Sequence, residues 1–318
     1  MAKASLYQDA SLCVVGNINR DVKCAPLAPS TKLFRDGETS VEWIAETIGG
    51  GGANSALAAA SLGGRVHFVG KVGADALALR LERTLQAHGV KAFLSRDKQN
   101  PTGTSLAMAW QNGHRHFLSN LPASRAFAFD DIQLKALSGC AHLLRADIWF
   151  SEAMLFEGNA ELFKAAHRKG LDISIDLNWD PEWGNASARR IRERKKAIRG
   201  VLPFVNIVHG NERELIEFAD APNLKTALQR ITEWGVRAVL IHMGSKGAGC
   251  FENGSLIVEP PKLAGRQVNV TGTGDVLSVC MMLLDQTSLS VEQRLRHANA
   301  VVRDFIEARR RLIPELSD

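Results

Sequence analysis

Short apolar runs alternate with amphipathic stretches along most of the chain. LCVVG (12–16) and VHFVGKVG (66–73) predict strands. Further strands are predicted at 142–150, 171–176, 205–211 and 238–244, and helices at 55–63, 77–89, 155–170, 186–199 and 223–235. Strands that alternate with amphipathic helices are typical of parallel βαβ units. The pattern therefore predicts an α/β protein built around a mostly parallel sheet.

Two segments depart from this alternation. TSLAMAW and HRHFLS, within residues 102–119, read as extended runs on either side of an Asn112-Gly113 pair. Asn-Gly favours a tight hairpin turn, so antiparallel structure is expected there. Residues 247–260 read as a second hairpin, whereas the stretch from the first strand to about residue 48 is polar and irregular.

The composition is that of an ordinary enzyme, with 45% hydrophobic and 23% charged residues among 318. The chain lacks an apolar run of the roughly 20 residues that span a bilayer, and its N-terminus lacks the pattern of a secretory signal. The five cysteines, at 13, 24, 140, 250 and 280, are scattered and form no zinc-binding spacing. Reduced thiols in a cytoplasmic compartment are expected, with no membrane partner.

The net charge of +5 raises the question of nucleic-acid binding. Seven basic residues lie between Arg189 and Arg199, with Glu193 as the one acid. At helical spacing they are interpreted as a solvated helix face. Because no aromatic residues are interleaved with them, no nucleic-acid partner is expected.

Polar residues follow several predicted strands directly. Asp176 and Asn178 follow one, Asn211 and Glu214 the next, and Gly244-Ser245 a third. In open parallel sheets, ligands bind beyond the carboxyl ends of the strands. This order alone predicts a small-molecule site at one edge of the sheet.

Two glycine segments are candidates for that site. GGGGAN (49–54) runs directly into a predicted helix, so its N–H groups are expected to face a polar or anionic group rather than to form a linker. TGTGD (271–275) is a turn at a helix N-terminus, where anions bind and where Asp275 is expected to stay ionised. Taken alone, Asp275 is equally well interpreted as a helix cap or as a base that accepts a hydroxyl proton. Neither segment is a Walker A or dinucleotide-binding sequence.

Six segments, in order, resemble the motifs of the ribokinase-like (PfkB) family of sugar and nucleoside kinases. They are GNINRD (16–21), GGGGANSALAAASLGGRVHFVGKVGAD (49–75), IDLNWDPEW (175–183), NEREL (211–215), MGSKGAG (243–249) and VTGTGDVLSV (270–279). The resemblance implies a three-layer α/β/α sandwich with a mostly parallel central sheet. It also implies one kinase domain over 1–318, with a small β lid formed by 20–48 and 102–119.

The resemblance also implies a site for transfer of the ATP γ-phosphoryl group to a hydroxymethyl group. Asp275 matches the general base, and Gly272, Thr273 and Gly274 match the anion hole. Substrate binding is implied for Asn19, Asp21, Gly50, Gly51, Asn54 and Asn178. Asn211 and Glu214 match residues that organise Mg²⁺, through water, and the phosphates. Nucleotide binding is implied for these two and for Met243, Gly244, Ser245 and Gly247.

Departures from the family pattern keep alternatives open. Asn269 stands where the family has an acid that helps to hold a monovalent cation, which puts dependence on K⁺ in question. A sugar kinase, ribokinase- or fructokinase-like, is favoured by the polar N-terminal motif. A nucleoside kinase would need a wall for the base, which Trp43, Trp110 and Phe117 could supply. A catalytically silent sugar-binding homologue is the third interpretation. On oligomeric state, the resemblance to relatives suggests a homodimer formed through the lid.

Overall fold

The computed structural model describes residues 6–30, 33, 35–112, 114–262, 265, 272–308 and 314–316. The strands are β1 (Ser11–Val15), β2 (Asn19–Cys24), β3 (Ile44–Gly49), β4 (Arg65–Gly73), β5 (Val90–Asp97), β6 (Thr104–Ala109), β7 (Arg115–Asn120), β8 (His142–Arg145), β9 (Asp172–Asp176), β10 (Ile207–Asn211), β11 (Ala238–His242), β12 (Ala248–Glu252) and β13 (Ser255–Glu259). The α-helices are α1 (Gly51–Ser61), α2 (Ala76–Ala87), α3 (Pro122–Arg125), α4 (Asn159–Arg168), α5 (Ala188–Arg199), α6 (Glu212–Ala219), α7 (Leu224–Glu233), α8 (Thr273–Asp285) and α9 (Val291–Ile306).

Most strands belong to one large sheet. Within the described residues its order is β13-β12-β11-β10-β9-β8-β1-β4-β5. The strands from β11 to β5 pair in parallel, and β12 and β13 add an antiparallel edge. One apolar cluster joins a face of this sheet to α1, α2, α8 and α9, and a second joins the other face to α4, α5, α6 and α7. The predicted three-layer α/β/α architecture is therefore confirmed.

A second, smaller sheet has the strand order β3-β2-β6-β7. Because side chains alternate along a strand, one face of it carries Asn19, Asp21 and Ser105, all buried. The opposite face carries Leu106 and Leu118, which are paired across β6 and β7 and exposed. The extended segments predicted within 102–119 thus belong to a separate sheet with a polar inner face. Its other two strands, β2 and β3, lie in the stretch that the pattern alone predicted to be irregular.

Two predictions of local structure are wrong in part. The strand predicted over 142–150 ends at Arg145, and the chain then turns at Asp147, whose φ is 52°. The basic helix over 188–199 is not wholly solvated, because Arg194 and Lys195 are each only 2% exposed. Strand β5 was not predicted. In the part of the chain with described coordinates, no helix is both long and apolar enough to cross a membrane.

Close backbone contact explains why α1 begins with glycines. A Cβ on Gly52 would lie 2.6 Å from the Cα of Gly16, at the end of β1. Gly50 has a φ of 91°, and a Cβ there would lie 2.4 Å from the carbonyl oxygen of Asn17. These positions let the helix N-terminus meet the carboxyl end of the sheet directly.

Candidate active site

Four carboxyl groups meet at the carboxyl edge of the large sheet. Asp147 follows β8, and Asp176 is the last residue of β9. Glu214 lies in the first turn of α6, and Asp275 lies in the first turn of α8. Their charges interact, since Asp176, Asp147 and Glu214 all act on the carboxyl of Asp275. The sequence prediction that polar residues gather at this edge agrees with the structure, which adds Asp147 to them.

Asp275 sits where the helix dipole and this acidic cluster oppose each other. Helix α8 begins after Gly272, whose φ of 85° suits glycine, and Asp275 is half-buried. Burial, followed by the charges of Asp176, Asp147 and Glu214, raises the pKa of Asp275 well above its usual range. Burial and these three charges therefore oppose the effect of the helix N-terminus, which the sequence predicted to keep Asp275 ionised. Added positive charge among these carboxyl groups would favour the ionised form of Asp275.

Asp147 occupies the N-terminus of α1. Its carboxylate accepts N–H bonds from Asn17 at 2.9 Å, Gly51 at 3.2 Å and Gly52 at 2.8 Å. The sequence predicted that the GGGGAN amides face a polar or anionic group. At Gly51 and Gly52 that group is the Asp147 side chain of the protein itself. Burial raises the pKa of Asp147, and these N–H bonds partly offset that effect.

Asn178 and Asp176 join two of the site loops. Asn178 has a φ of 44°, and its Oδ1 accepts the backbone N–H of Asp147 at 3.3 Å. Its own N–H donates to Asp176 Oδ1 at 3.3 Å. Burial and the charge of Glu214 raise the pKa of Asp176 to about 8. The D-x-N segment therefore holds the loop after β8 as well as presenting its own side chains.

Asn211 and Glu214 form a reciprocal helix cap. The Glu214 N–H donates to Asn211 Oδ1 at 2.9 Å, and the Asn211 N–H donates to Glu214 Oε2 at 2.8 Å. The structural role that the sequence also allows is thus present. Burial raises the pKa of Glu214, and the Glu214 charge in turn acts on Asp176 and Asp275. The cap places this carboxyl at the acidic cluster.

The inner face of the small sheet brings a polar group to the N-terminus of α1. Asn19 Nδ2 donates to Asp21 Oδ1 at 2.8 Å and lies 3.4 Å from Ser105 Oγ, which in turn lies 2.8 Å from Ser119 Oγ. A Cβ on Gly49 would lie 2.1 Å from Asp21 Oδ1, so only glycine fits beside this pair. Burial raises the pKa of Asp21, and the charge of Lys23 partly offsets it.

One further polar atom of α1 lacks a hydrogen-bond partner among the described residues. Asn54 Oδ1 is buried, and no donor in the described part of the chain lies within hydrogen-bonding distance of it. A buried carbonyl oxygen without a donor is costly, and a ligand hydroxyl would satisfy it.

The MGSKGAG segment forms an open turn after β11. Gly244, Ser245 and Lys246 make a single exposed 3₁₀ turn, and the Met243 N–H donates to the Gly247 carbonyl at 3.0 Å. Gly244 has a φ of 57° with open space where a Cβ would be, so the turn presents bare backbone. Such an exposed glycine turn suits the approach of a flat or anionic ligand.

His242 lies behind the Gly272–Gly274 turn. Its Nε2 lies 2.9 Å from Ser278 Oγ, and its Nδ1 would lie 3.1 Å from a Cβ on Gly274. Burial lowers the pKa of His242 to about 4, so the ring is neutral. The His242–Ser278 contact fixes the start of α8 against the end of β11.

Sequence reasoning missed Asp147 and Ser105. The sequence prediction placed Asp147 inside a strand. The polar residues Arg145 and Asp147, which follow an apolar pair, were the signal that the strand had ended. Ser105 is one small polar residue in an extended run and gave no separate signal. Asn269, on which the question of K⁺ depends, and Thr271 lie outside the described residues.

The comparisons with known proteins agree with this fold. Residues 9–302 match the pfkB family carbohydrate kinase pattern. A ribokinase from Arabidopsis thaliana is 26% identical over 96% of this chain and 78% of its own length. A fructokinase from Vibrio alginolyticus is 26% identical over 76% of this chain and 77% of its own.

A solved structure of a putative ribokinase II from E. coli, in complex with ATP and Mg²⁺, superposes with a TM-score of 0.80. It is 20% identical, over 95% of this chain and 94% of its own, and it shows that the fold is shared. The chain belongs to the pfkB family of carbohydrate kinases. It is an ATP-dependent carbohydrate kinase, and the family resemblance drawn from the six motifs is confirmed.

Proposed function

We propose that this kinase transfers the γ-phosphoryl group of ATP to a hydroxymethyl group of a sugar, with Asp275 as the general base. The observation that carries the proposal is the position of Asp275 in the first turn of α8, directly after the Gly272–Gly274 turn and within the acidic cluster. Asp275 takes the hydroxyl proton while the sugar oxygen forms the new bond to phosphorus, and ADP leaves. The amides of Gly272, Thr273 and Gly274 stabilise charge on the transferring group.

The acceptor sugar is proposed to lie between the inner face of the small sheet and the N-terminus of α1. Asn19 and Asp21 offer a carboxamide and a carboxylate, and Asn54 Oδ1 and Asn178 offer further polar groups. Gly50 and Gly51 are proposed to border the ligand through their backbone, while Asn17 and Asp147 fill the space where their Cβ atoms would lie. Paired donors and acceptors of this kind select for hydroxyl groups. Closure of the small sheet over the sugar would exclude water from the reaction.

The nucleotide is proposed to bind along the turn formed by Met243, Gly244, Ser245 and Gly247. Among the described residues no three Asp, Glu, His or Cys side chains form a metal-binding group, so Mg²⁺ is proposed to enter with the nucleotide phosphates and to need only one or two protein oxygen ligands. Asn211 and Glu214 would hold it through water. When bound, the ion supplies positive charge that stabilises the phosphates and favours ionised Asp275.

A nucleoside acceptor is the second candidate. Phe117 pairs with Ala107 across β6 and β7, which puts it on the same face of the small sheet as Asp21. Phe117 is 45% exposed as a residue, so its ring is proposed to stack on a flat base. This single observation keeps a nucleoside kinase beside the sugar kinase.

A panel of acceptors distinguishes these functions. The purified chain is incubated with ATP and Mg²⁺ and with separate pentoses, hexoses, keto-sugar acids and nucleosides, and ADP release is followed. We expect the highest kcat/KM with a sugar. A nucleoside as the best acceptor would replace the sugar proposal by its alternative. Binding of sugars without ADP release from any of them would favour the silent homologue.

We further propose that two copies associate through the outer face of the small sheet. Ile44, Leu106 and Leu118 share this face and are 69%, 46% and 52% exposed, so burying them would stabilise a dimer. Sedimentation of the wild type and of Leu118→Glu tests this. We expect a dimer that the substitution dissociates, and a wild type that sediments as a monomer at micromolar concentration would contradict it.

Two finer assignments remain proposals. All five cysteines are free thiols, which supports a cytoplasmic location that fluorescence microscopy of the tagged chain would test. K⁺ dependence stays in question, and assays in K⁺ and in a tetraalkylammonium buffer would answer it.

A further inference from the structure

Helix α5 carries a buried arginine that contacts two site loops at once. Arg194 Nε donates to Asp180 Oδ2 at 2.7 Å, and its NH2 group donates to Asp180 Oδ1 at 3.0 Å. The same NH2 group donates to the carbonyl oxygen of Trp149 at 2.6 Å. Asp180 belongs to the loop after β9, and Trp149 to the loop after β8. One guanidinium group therefore ties these two loops together.

Arg194 and its partner Asp180 are both buried. The Arg194 side chain is 3% exposed and that of Asp180 is 0% exposed. Its remaining NH1 group lies 3.2 Å from Glu152 and 3.4 Å from Glu182. A buried ion pair is weak evidence for stability, because the desolvation of both charges offsets their attraction. A role beyond stability is therefore worth testing.

Each of the two loops carries a site residue in an unfavourable backbone conformation. Asp147 lies two residues before Trp149 and has a φ of 52°, and Asn178 lies two residues before Asp180 and has a φ of 44°. Asp and Asn adopt the left-handed region more readily than other non-glycine residues but still at a cost in energy, so contacts with the surroundings help to hold them there. The loops are also joined directly, by the Asp147 N–H bond to Asn178 and by the Trp149 indole N–H bond to the Leu177 carbonyl.

The effect of these loops extends to the acceptor site. The Asp147 carboxylate accepts the N–H groups of Asn17, Gly51 and Gly52. Through Asp147, the position of the loops sets the position of the α1 N-terminus and of the chain that leads to Asn19. Contacts therefore run without a gap from Arg194 to the segments proposed to bind the sugar.

We propose that Arg194 is a positioning residue, which holds the loops of Asp147 and Asn178 in the one arrangement that aligns the acceptor sugar. The inference rests on the proposed function and adds to it a residue outside the six family motifs. The planar fork of arginine is essential, because it reaches Asp180 with two N–H groups and Trp149 as well. Lysine has the charge without this geometry.

The adjacent residue on α5 offers a matched control. Lys195 is also 2% exposed and pairs with Glu217 and Asp220, at 2.7 Å each. Its ion-pair partners lie at the C-terminal end of α6, and its ammonium group also lies 5.4 Å from the centre of the Trp183 ring in the loop after β9. Lys195→Met and Arg194→Met each remove one buried cation, and a methionine at 195 keeps an apolar side chain beside Trp183. Only Arg194→Met removes side-chain hydrogen bonds to Asp180 and Trp149 in the two site loops.

The experiment compares Arg194→Met, Arg194→Lys, Lys195→Met and the double variant Asp180→Leu/Arg194→Met with the wild type. The assay uses Mg²⁺, ATP and the acceptor with the highest turnover in the panel, and melting temperature is measured in parallel. For Arg194→Met and for the double variant we expect a loss in kcat/KM for the acceptor of about 10²-fold, with KM for ATP within about twofold. Arg194→Lys should resemble Arg194→Met, and Lys195→Met should keep wild-type kinetics.

The double variant separates positioning from stability, because replacing a buried pair by apolar side chains restores stability without restoring the link to Trp149. We expect its melting temperature to recover while its activity does not. Recovery of activity together with stability, or equal kinetics of Arg194→Met and Lys195→Met, would overturn the inference and leave the proposed function intact. A folded wild type that phosphorylates no acceptor would overturn both.

Discussion

Asp275→Asn is expected to lower kcat by at least about 10³-fold, because general base catalysis contributes roughly 10²–10⁴-fold and the site offers this carboxyl at the α8 N-terminus. Asparagine has nearly the same shape but cannot accept the hydroxyl proton. The binding of ATP and of the sugar should survive, since neither depends on proton transfer. Steady-state kinetics, with calorimetric titration of both ligands, measures the two effects separately.

Asp285→Asn provides the control on the same helix. Asp285 ends α8, and its carboxylate pairs with Arg237 at 2.9 Å and with Arg294, far from the Gly272 turn in sequence. We expect this variant to keep nearly the wild-type kcat. Full activity of Asp275→Asn would remove Asp275 from the role of base, whereas equal losses in both variants would indicate a general effect on α8.

Asp176→Asn is expected to stabilise the protein in the absence of Mg²⁺ and nucleotide. Burial and the charge of Glu214 raise the pKa of Asp176 to about 8 in the folded chain, against about 3.9 when unfolded. Below pH 4 the carboxyl is protonated in both states. As the pH rises toward 8, only the unfolded state releases the proton, so the wild type loses stability at up to about 1.4 kcal/mol per pH unit. Asparagine removes this loss.

Guanidinium unfolding at pH 5 and pH 8, with a chelator present, measures the difference. We expect Asp176→Asn to gain at least about 2 kcal/mol over the wild type at pH 8 and much less at pH 5. Asp172→Asn, an exposed position on the same strand, is the control and should change little at either pH. A gain that is the same at both pH values would show that Asp176 is ionised in the folded state.

The large-scale fold could be predicted from the sequence because its signals are local. Apolar runs ending in glycine or polar residues mark β1, β9 and β10, and the glycine turn at 272–274 marks the start of α8. Polar residues after parallel strands predicted the edge that carries the site. Strand β5 was not predicted, because its residues, VKAFLSRD, mix apolar and charged positions.

The remaining features depend on contacts between distant segments. Whether Arg194 is solvated or buried is decided by Asp180 and Trp149, which a helical charge pattern cannot show. Asp147 caps a helix that begins about a hundred residues earlier in the chain. The sequence around either residue therefore does not indicate that the two are in contact. The raised pKa of Asp275 comes first from burial and then from three carboxyl groups on other elements, and these effects oppose the helix dipole on which the sequence prediction rested.

The central claim is that this chain moves a phosphoryl group from ATP to a sugar, and product analysis tests it most directly. The chain is incubated with Mg²⁺, ATP and the best acceptor of the panel, and the products are identified by mass spectrometry and phosphorus NMR. The account predicts one sugar monophosphate for each ADP, and no product with Asp275→Asn. Release of inorganic phosphate without a phosphorylated sugar, or binding of both ligands without any product, would contradict it.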